Sequence, residues 1–361
     1  MKSVILGMSG GVDSSLAAHL LKRDGWRVIG VTFRFWEDDT STAAGRAAES
    51  VADAARACQQ IGIEHHAVDC REEFRRRIVE PFCAEYLAGR TPNPCVRCNP
   101  TMKFARLIAE AERFGADRIA TGHYVRVETD GRPVLRKGLD PAKDQSYVLY
   151  GLPLETLARC VFPLGAQRKE DVRRIARELG LESERMRDSQ EICFIPDDDY
   201  AAFLKRRSGD RFRPGPIVDT RGVELGRHEG VHRFTLGQRR GLGIAVGEPR
   251  FVVRIEPKTA TVVVGTPADT LARRFAVKDI NWLSIAPPRD AIRADVKIRY
   301  THRPRPAAIA PTSDRTARVT LDDPESAVTP GQAAVFYRDD VVLGGGTIDE
   351  TLGPEPESEK S

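Results

Sequence analysis

The sequence lacks any apolar run of the roughly 18 residues that a bilayer-spanning helix needs. Its amino end passes from Met1-Lys2 directly into the short apolar run Val4–Leu6, which is too short for a signal peptide and is typical of a buried strand. A strong charge of one sign is also missing, because 56 basic and 52 acidic residues leave a net charge of +4. The composition therefore predicts a cytoplasmic globular protein without a membrane segment, and it neither requires nor excludes a nucleic-acid partner.

Cysteine is scarce and odd in number, with seven among 361 residues, which argues against a disulfide scaffold. Cys58 lies in a helical pattern and Cys70 follows a strand pattern, so both are interpreted as buried structural residues. The remaining cysteines are Cys83, Cys95, Cys98, Cys160 and Cys193.

The chain length predicts two or three domains. Up to about residue 120, short apolar strands alternate with helical patterns, which predicts a doubly wound parallel sheet. After a helix-rich stretch that includes Lys169–Leu179, the composition changes near Pro196, and short strands separated by turns follow. They include a predicted hairpin of Phe251–Ile255 and Thr261–Val264 around Pro257-Lys258, and a strand predicted at Val277–Ile280. The predicted domains are 1–200, a catalytic α/β domain; 201–270, a small central β-rich domain; 271–352, a C-terminal antiparallel β-barrel; and 353–361, a disordered tail.

A glycine- and serine-rich run follows the first predicted strand and opens the first predicted helix. Glycine lets backbone N–H groups approach a phosphate, and the helix N-terminus favours the anion. The run is not a Walker A loop, since the Gly-Lys-Ser/Thr ending is absent, and it lacks the dinucleotide-binding spacing. It resembles the pyrophosphate loop of the N-type ATP pyrophosphatases, and this resemblance implies ATP as a ligand. The residues are Gly7, Met8, Ser9, Gly10, Gly11, Val12, Asp13 and Ser14, with Asp13 interpreted as a Mg²⁺ contact or a loop brace.

A proline-rich loop places Cys95 and Cys98 just before a helix predicted from Met102. A helix N-terminus and the adjacent Arg97 are expected to lower the pKa of the Cys98 thiol. Half of a zinc site and a thioredoxin-type redox pair are the alternatives for Cys95-x-x-Cys98, although no second pair completes four zinc ligands. The residues around Cys193, taken alone, predict a buried cysteine in a strand.

Taken together, these segments resemble the family of bacterial tRNA-specific 2-thiouridylases, and the resemblance covers nearly the whole chain. The motifs that carry it are Gly89–Pro94, Ala120–Tyr124, Lys143–Tyr147, Glu191–Phe194, Thr235–Gly243, Thr329–Ala333 and Gly344–Gly346.

The resemblance implies roles for individual residues. Cys193 would carry the incoming sulfur as a persulfide, and Cys98 would be its partner thiol. Phe33 would contact adenine, and Gly122 would contact ATP from the next strand end. The positions matching the family's tRNA contacts are Asn93, Pro94, Cys95, His123, Lys143, Asp144, Gln145, Arg299, Tyr300 and Gln332.

Two positions depart from the family pattern. Several relatives have Asp where this chain has Cys95, and a thiol cannot serve as a carboxylate acid or base. That role is either dispensable or taken by another group such as Asp144. Phe33 replaces a frequent Met, and an aromatic ring can still pack on adenine.

The implied reaction adenylates the O2 atom of the wobble uridine with ATP and Mg²⁺ and then installs sulfur from the Cys193 persulfide. The implied partners are tRNAs of the Lys, Glu and Gln type and an unidentified persulfide donor protein, and the target base is expected to be flipped out. Two other classes fit parts of the pattern: an ATP-dependent amidotransferase or ligase, and a non-catalytic RNA-binding protein. Arginine clusters after residue 200 suit either a solvated surface or the tRNA backbone: Arg206-Arg207, Arg211 with Arg213, Arg239-Arg240, and Arg299 with Arg303 and Arg305.

Overall fold

The computed structural model describes residues 1–36, 41–129, 131–185, 192–195 and 199–353. The predicted disordered tail therefore lies, except for Gly353, outside the described residues. Among the described residues, no helix combines the length and the apolarity needed to cross a membrane.

The strands are numbered in chain order. They are β1 (Ser3–Gly7), β2 (Arg27–Arg34), β3 (Glu64–Asp69), β4 (Arg118–Ala120), β5 (Val125–Glu128), β6 (Val134–Lys137), β7 (Cys160–Val161), β8 (Gly215–Asp219), β9 (Glu224–His228), β10 (Phe251–Glu256), β11 (Thr261–Gly265), β12 (Leu271–Trp282), β13 (Ile292–Lys297), β14 (Arg305–Ser313), β15 (Thr316–Ser326), β16 (Ala333–Arg338) and β17 (Val341–Leu352).

The α-helices are α1 (Val12–Arg23), α2 (Ser41–Ile61), α3 (Arg71–Phe74), α4 (Glu80–Leu87), α5 (Pro94–Cys98), α6 (Phe104–Phe114), α7 (Leu154–Ala158), α8 (Lys169–Glu178) and α9 (Tyr200–Ser208). Two π-helical segments are Arg75–Val79 and Asn99–Lys103. Short 3₁₀ turns are Ser146–Val148, Glu182–Arg185, Gly209–Arg211, Val231–Arg233 and Ala268–Thr270.

The chain divides into two compact units. The first unit comprises Met1–Val79, Pro94–Asp198 and Asp340–Val342, and the second comprises Glu80–Asn93, Asp199–Asp339 and Leu343–Ser361. This division assigns the short segment from Glu80 to Asn93 to the second unit. The sequence-based domain boundaries near residues 200 and 270 stay a prediction.

The first unit is built on a parallel sheet with the strand order β3-β2-β1-β4-β7. The central strand β1 carries Val4, Ile5 and Leu6, which are fully buried, as expected for a parallel strand covered on both faces. From β1 the chain adds β2 and β3 on one side and then returns to add β4 on the other. The sheet is therefore doubly wound, and its switch point lies between β1 and β4.

The second unit contains two β-structures. A four-stranded sheet has the order β10-β11-β8-β9, and β10 and β11 form the hairpin predicted around Pro257-Lys258. The strands β12, β15, β14, β13, β16 and β17 follow one another as neighbours, and pairing of β12 with β17 closes them into an antiparallel barrel. Phe275, Val296 and Phe336 fill its interior. The predicted fold class is thus confirmed.

Candidate functional site

The phosphate loop lies at the switch point of the parallel sheet, where ligands of doubly wound folds bind. It connects β1, which ends at Gly7, to α1, which begins at Val12. Gly10 has φ +81°, and a Cβ atom on it would lie 2.7 Å from the Cβ of Asp53. A Cβ on Gly122, which follows β4, would lie 2.9 Å from the Asp13 carbonyl carbon. Close packing therefore requires glycine at two predicted positions, at Gly10 within the loop and at Gly122 against it.

Serine hydroxyls hold the loop in shape from within. Ser14 Oγ donates to the Gly11 carbonyl at 3.0 Å and accepts from the Ser9 amide at 3.2 Å. Ser15 Oγ donates to the same carbonyl at 3.1 Å. Ser9 remains exposed at the outer edge of the loop. The exposed edge, the glycines and the N-terminus of the twelve-residue helix α1 suit a bound polyphosphate.

Asp13 acts as a brace of the loop. Both of its carboxylate oxygens accept from Lys169 Nζ at 2.8 Å, and one also accepts from the Tyr124 hydroxyl at 2.6 Å. Lys169 is buried at the first position of α8. Sequence reasoning left Asp13 open between a Mg²⁺ contact and a brace, and it missed Lys169, because a lysine at a helix start carries no signal of its distant partner.

The fit of ATP and Mg²⁺ follows from these contacts. Ser9, Gly10 and Gly11 offer backbone and hydroxyl donors to phosphate oxygens. Both carboxylate oxygens of Asp13 are engaged by Lys169, and no group of three or more His, Cys, Asp or Glu in the described part of the chain is arranged as a metal site. The residues thus fit the triphosphate, and a Mg²⁺ ion would reach this loop as part of the nucleotide.

Three cysteine thiols converge in the first unit. Cys95 and Cys98 are three residues apart in α5, and their thiols interact electrostatically with each other. Both also interact electrostatically with the thiol of Cys193, although Cys193 is far away in the sequence. Cys95 and Cys193 are exposed and Cys98 is partly exposed, and no cysteine of the seven, all of which are described, forms a disulfide.

Desolvation by surrounding protein atoms raises the pKa of the Cys98 thiol to about 11 and that of the Cys193 thiol to about 12. The neighbouring thiols push both pKa values further up, whereas the charge of Lys103 lowers them. The Lys103 backbone amide also hydrogen-bonds the Cys98 sulfur. Because Cys193 is open to solvent, water offsets part of its desolvation, but repulsion from Cys95 and Cys98 keeps the shift upward.

The expectation that a helix N-terminus lowers the pKa of Cys98 is therefore wrong. The helix begins earlier, at Pro94, where proline is favoured because its missing N–H has no helical partner, and Cys98 is the last residue of α5. Arg97 does not help either, since its Nε donates to the Arg77 carbonyl at 2.9 Å. Lys103, which sequence reasoning missed, is the cation that acts on these thiols.

An aromatic cluster anchors the Cys193 segment. Phe194 is buried, and its ring contacts Trp36 at 6.0 Å and Phe74 at 5.7 Å between centroids. Phe74 stacks on Phe35 at 5.2 Å, which in turn contacts Phe33 at 5.5 Å. The residue predicted to contact adenine is thus connected by packed rings to the segment that carries Cys193. The residues 188–191, which precede it, lie outside the described residues.

Two predicted tRNA-contacting residues of the first unit, His123 and Gln145, lie beside Tyr124. Nδ1 of His123 and the hydroxyl of Thr121 share a hydrogen bond of 2.7 Å. Desolvation and the charge of Lys103 hold the pKa of His123 well below its ordinary range. Gln145 pairs with the Tyr124 backbone through its own amide and its side-chain oxygen. Lys143, beside it, donates its amide to the Asp140 carbonyl.

Asp144 is held by three donors of its own loop. Its carboxylate accepts from the Gly138 amide at 3.0 Å, the Ser146 amide at 3.1 Å and the Ser146 hydroxyl at 2.9 Å. The same loop reaches the cysteine helix, since Asn99 Nδ2 donates to the Val148 carbonyl at 3.0 Å. Asp144 thus shapes the turn that connects the surroundings of Tyr124 to the residue following Cys98.

In the second unit, the predicted Gln332 braces the chain just before Asn93. Gln332 Nε2 donates to the Thr91 carbonyl at 2.7 Å, and the Thr91 amide donates to the Pro330 carbonyl at 3.1 Å. Gly331, with φ +93°, packs against the Thr91 backbone, where a Cβ would come within 3.1 Å. The motif around Gln332 therefore positions the segment that leads into the cysteine helix.

Arg299 and Tyr300 lie after β13. Arg299 donates to the Ser326 carbonyl at 2.9 Å, and Tyr300 is 41% exposed, with Lys297 Nζ 5.5 Å from its ring centroid. An exposed aromatic ring beside cations suits a base or a backbone sugar of RNA.

A basic pocket of about 250 Å³ lies elsewhere in the second unit. Arg211, Arg213 and Lys258 line it, over a floor that includes Phe212 and Val231. Sequence reasoning placed Arg211 and Arg213 in an arginine cluster, whereas it named Lys258 only as part of the β10–β11 turn. Three cations around one concave surface suit a phosphate of a nucleic-acid backbone.

The fold and the loop define a class: an α/β nucleotide-binding protein of the ATP pyrophosphatase type, followed by β-domains. A family model described as the tRNA methyl transferase HUP domain matches residues 2–197. Models described as the tRNA methyl transferase PRC-barrel domain and the aminomethyltransferase beta-barrel domain match residues 201–266 and 272–348. The chain belongs to the tRNA-specific 2-thiouridylase (MnmA) family.

Curated relatives support this family membership. The tRNA-specific 2-thiouridylase MnmA of Syntrophotalea carbinolica is 49% identical over 96% of this chain and 98% of its own length. Those of Geotalea uraniireducens and Clostridium perfringens are 47% and 43% identical, each over 97% of this chain and over 96% and 99% of their own lengths. A solved 4-thiouridine synthetase–RNA complex with bound ATP is 19% identical, covers 58% of this chain and 51% of its own, and has a TM-score of 0.37, which is too low to support a functional conclusion.

Proposed function

We propose that the protein is an ATP-dependent tRNA-uridine 2-sulfurtransferase. It adenylates the C2 oxygen of the wobble uridine and replaces that oxygen with sulfur from a persulfide on Cys193, giving 2-thiouridine, AMP and pyrophosphate. The observation that carries the proposal is the convergence of Cys98 and Cys193, distant in sequence, in the unit that also holds the phosphate loop. The function printed for relatives of up to 49% identity supports it.

The first chemical step makes the uracil oxygen a good leaving group. Oxygen at C2 leaves poorly as hydroxide or oxide, whereas AMP leaves readily. Ser9, Gly10 and Gly11 bind the phosphates, and the N-terminus of α1 offsets their negative charge. When bound, Mg²⁺ supplies additional charge neutralisation on the polyphosphate.

The second step delivers sulfur. The terminal sulfur of a Cys193 persulfide attacks C2 and displaces AMP, and Lys103 favours its anionic form. The Cys98 thiolate then attacks the inner sulfur, which forms a Cys98–Cys193 disulfide and releases the product. Release of hydrosulfide before attack on C2 is the alternative order. The raised pKa values of both thiols mean that Lys103 and the persulfide's own acidity must supply the reactive anions.

Several relatives have Asp at the position of Cys95, which suggested an acid–base role, but this chain has no carboxylate there. Asp144 is already engaged by three donors of its own loop, so its contacts favour a positioning role over proton transfer. We propose that Asp144 positions the Lys143–Tyr147 loop beside the flipped base, and that His123, neutral at pH 7, contributes a hydrogen bond there.

We propose tRNAs of the Lys, Glu and Gln type as substrates, and a persulfide-carrying protein as the sulfur donor. Asn93, Pro94 and Cys95 would lie next to the target base. The tRNA backbone would be held or positioned by the basic pocket and by Arg299, Tyr300 and Gln332. The reaction would take place in the cytoplasm, where tRNA and thiol reductants are present.

The test is thiolation of tRNA by purified protein with ATP and a persulfide donor, measured by mass spectrometry of the nucleosides. Cys98→Ser and Cys193→Ser should each abolish 2-thiouridine, while the buried Cys83→Ala control should retain it. Adenylation should survive in both serine variants, seen as pyrophosphate release that depends on tRNA. Thiolation that persists in either serine variant would refute the proposed pair.

A further inference from the structure

Cys95 is a third solvent-accessible thiol beside the two that the proposed function uses. Of the seven cysteines, all of which are described, Cys58, Cys70, Cys83 and Cys160 are buried, whereas Cys95 and Cys193 are exposed and Cys98 is partly exposed. Thiol exchange takes place at accessible sulfurs. The accessible thiols of this protein are therefore the three that converge.

Each of the three thiols acts electrostatically on another. The charge of Cys95 raises the pKa of Cys98, and Cys95 and Cys98 both raise the pKa of Cys193. Lys103 lowers the pKa of all three thiols, including that of Cys95. Cys95 thus shares the surroundings of the proposed sulfur-transfer pair, including its cation.

The helix geometry places Cys95 next to Cys98 whatever the position of Cys193. Both lie in α5 at positions i and i+3, for which Cβ atoms are about 5–6 Å apart on one helix face. Disulfides need Cα atoms about 4.4–6.8 Å apart and Cβ atoms about 3.5–4.5 Å apart, so these two Cβ atoms must approach each other by about 1–2 Å. A small adjustment of this five-residue helix therefore suffices for a Cys95–Cys98 bond.

Resting on the proposed function, we propose that Cys95 recycles the enzyme by taking over the disulfide that sulfur transfer leaves behind. The Cys95 thiolate attacks the Cys98 sulfur of the Cys98–Cys193 disulfide. The Cys95–Cys98 bond forms, the Cys98–Cys193 bond breaks, and Cys193 leaves as a thiolate that takes up the proton lost by Cys95. The exchange has no net oxidation or reduction.

The attack on Cys98, and not on Cys193, follows from the covalent tether. Leaving-group acidity alone would favour release of Cys98, whose pKa is the lower of the two. The short connection between Cys95 and Cys98 instead keeps these two sulfurs at a high effective concentration. Cys193 is thereby freed for the next persulfide, and a dithiol reductant acts later on the exposed Cys95.

Disulfide mapping tests this proposal. The full-length protein is given tRNA, ATP and one equivalent of a persulfide donor without reductant, then alkylated and digested with trypsin. Cleavage after Arg97 separates the two helix thiols, so Thr91–Arg97 carries Cys95, Cys98–Lys103 carries Cys98, and residues 188–205 carry Cys193. We expect the first two peptides to be cross-linked and Cys193 to be alkylated. A predominant link between Cys98–Lys103 and residues 188–205 would overturn the proposal.

Two further arms separate this proposal from the proposed function. Cys95→Ser should accumulate the Cys98–Cys193 link, whereas the control Cys83→Ala should show the wild-type pattern. Equilibration in glutathione redox buffer without tRNA or ATP should also give the Cys95–Cys98 link. Thiolation without a Cys95–Cys98 link would mean that the recycling fails while the proposed function stands. A Cys95–Cys98 link in buffer without any thiolation would mean that the proposed function fails and the recycling with it, although the two helix thiols can pair. The purified protein could also contain stoichiometric zinc or iron that is absent from Cys95→Ser. This result would make Cys95 a metal ligand and would overturn the recycling.

Discussion

At the scale of single residues, the ion pair between Lys169 and Asp13 of the phosphate loop leads to a specific prediction. The side chain of Lys169 is 10% exposed and that of Asp13 is 34% exposed. Breaking a fully buried pair costs about 3–5 kcal/mol, and the partial exposure of Asp13 reduces this. Lys169→Met should therefore lower the free energy of unfolding by about 2 kcal/mol and weaken ATP binding several-fold, because Asp13 braces the loop.

The matched control for Lys169 is Arg174→Met in the same helix, which removes exposed pairs with Asp171 and Glu178 and should change stability by about 0.5 kcal/mol or less. Urea unfolding and ATP titration by calorimetry measure both effects. Equal stability losses in Lys169→Met and Arg174→Met would show that the buried pair has no special role.

His232 makes the second unit sensitive to acid. Burial lowers the pKa of His232 from its ordinary 6.5 to about 4, with Arg233 and Lys205 adding to the shift. Between those two pH values the unfolded chain binds a proton that the folded chain does not, so stability is full above pH 6.5 and falls as the pH drops toward 4. The loss on going from pH 7 to pH 4.5 should be roughly 2–3 kcal/mol.

His232→Phe should remove this part of the pH dependence because phenylalanine does not titrate. Its ring can keep the packing against Phe212, whose centroid lies 4.0 Å from that of His232. Free energies of unfolding at both pH values, for wild type and variant, measure the difference. An acid-induced loss of the same size in both proteins would assign the effect to other groups.

At the scale of structural elements, the loop between β1 and α1 combines backbone conformation with close packing. Gly10 has φ +81° and no room for a Cβ beside Asp53, whereas Gly25 has φ +84° and nothing within 4 Å. Gly25→Ala should cost about 1 kcal/mol through backbone strain alone. Gly10→Ala should cost about 1–3 kcal/mol more and abolish ATP binding, because the loop must move away from α2.

Thermal unfolding and ATP titration of Gly10→Ala and Gly25→Ala provide the comparison. If the two variants lose equal stability and both still bind ATP, the close approach to Asp53 is not what fixes the loop.

The π-helical segment Asn99–Lys103 is a second element with a consequence for the site. It follows Cys98 directly, and the backbone amide of Lys103 hydrogen-bonds the Cys98 sulfur. Such segments are frequent at functional sites. The segment therefore carries Lys103, the cation that acts on the three thiols, directly after Cys98.

At the scale of the whole molecule, RNA binding should depend on the basic pocket of the second unit. Replacing Arg211, Arg213 and Lys258 by Gln, Gln and Met should weaken tRNA binding uniformly across tRNA species. The slope of log affinity against log salt should become shallower by about 1 for each phosphate that the variant no longer neutralises. Fluorescence titration with tRNA over a series of salt concentrations measures both quantities.

The control for the basic pocket is Arg293→Gln, which removes an exposed arginine that is paired with Asp322 in the same unit. It should leave the salt slope unchanged. A slope that stays the same in the triple variant would place the tRNA backbone elsewhere.

Local sequence by itself determined much of this protein. Val4–Leu6 followed by Ser9-Gly10-Gly11 predicts a buried strand, a phosphate loop and a helix, because apolar runs, glycine and helix starts act on their immediate neighbours. The β10–β11 hairpin was predicted for the same reason. Strand ends were less accurate: β12 was expected over Val277–Ile280 and runs over Leu271–Trp282.

The tertiary structure alone decided the contacts between distant segments. Lys169 meets Asp13, Phe194 packs on Phe74, and Cys193 joins Cys95 and Cys98 because three-dimensional packing brings these residues together, and no local pattern encodes such distances. The sign of the thiol pKa shift was also decided there, since desolvation depends on how many protein atoms surround a sulfur. Local sequence set the conformations, and long-range packing set the electrostatics of the site.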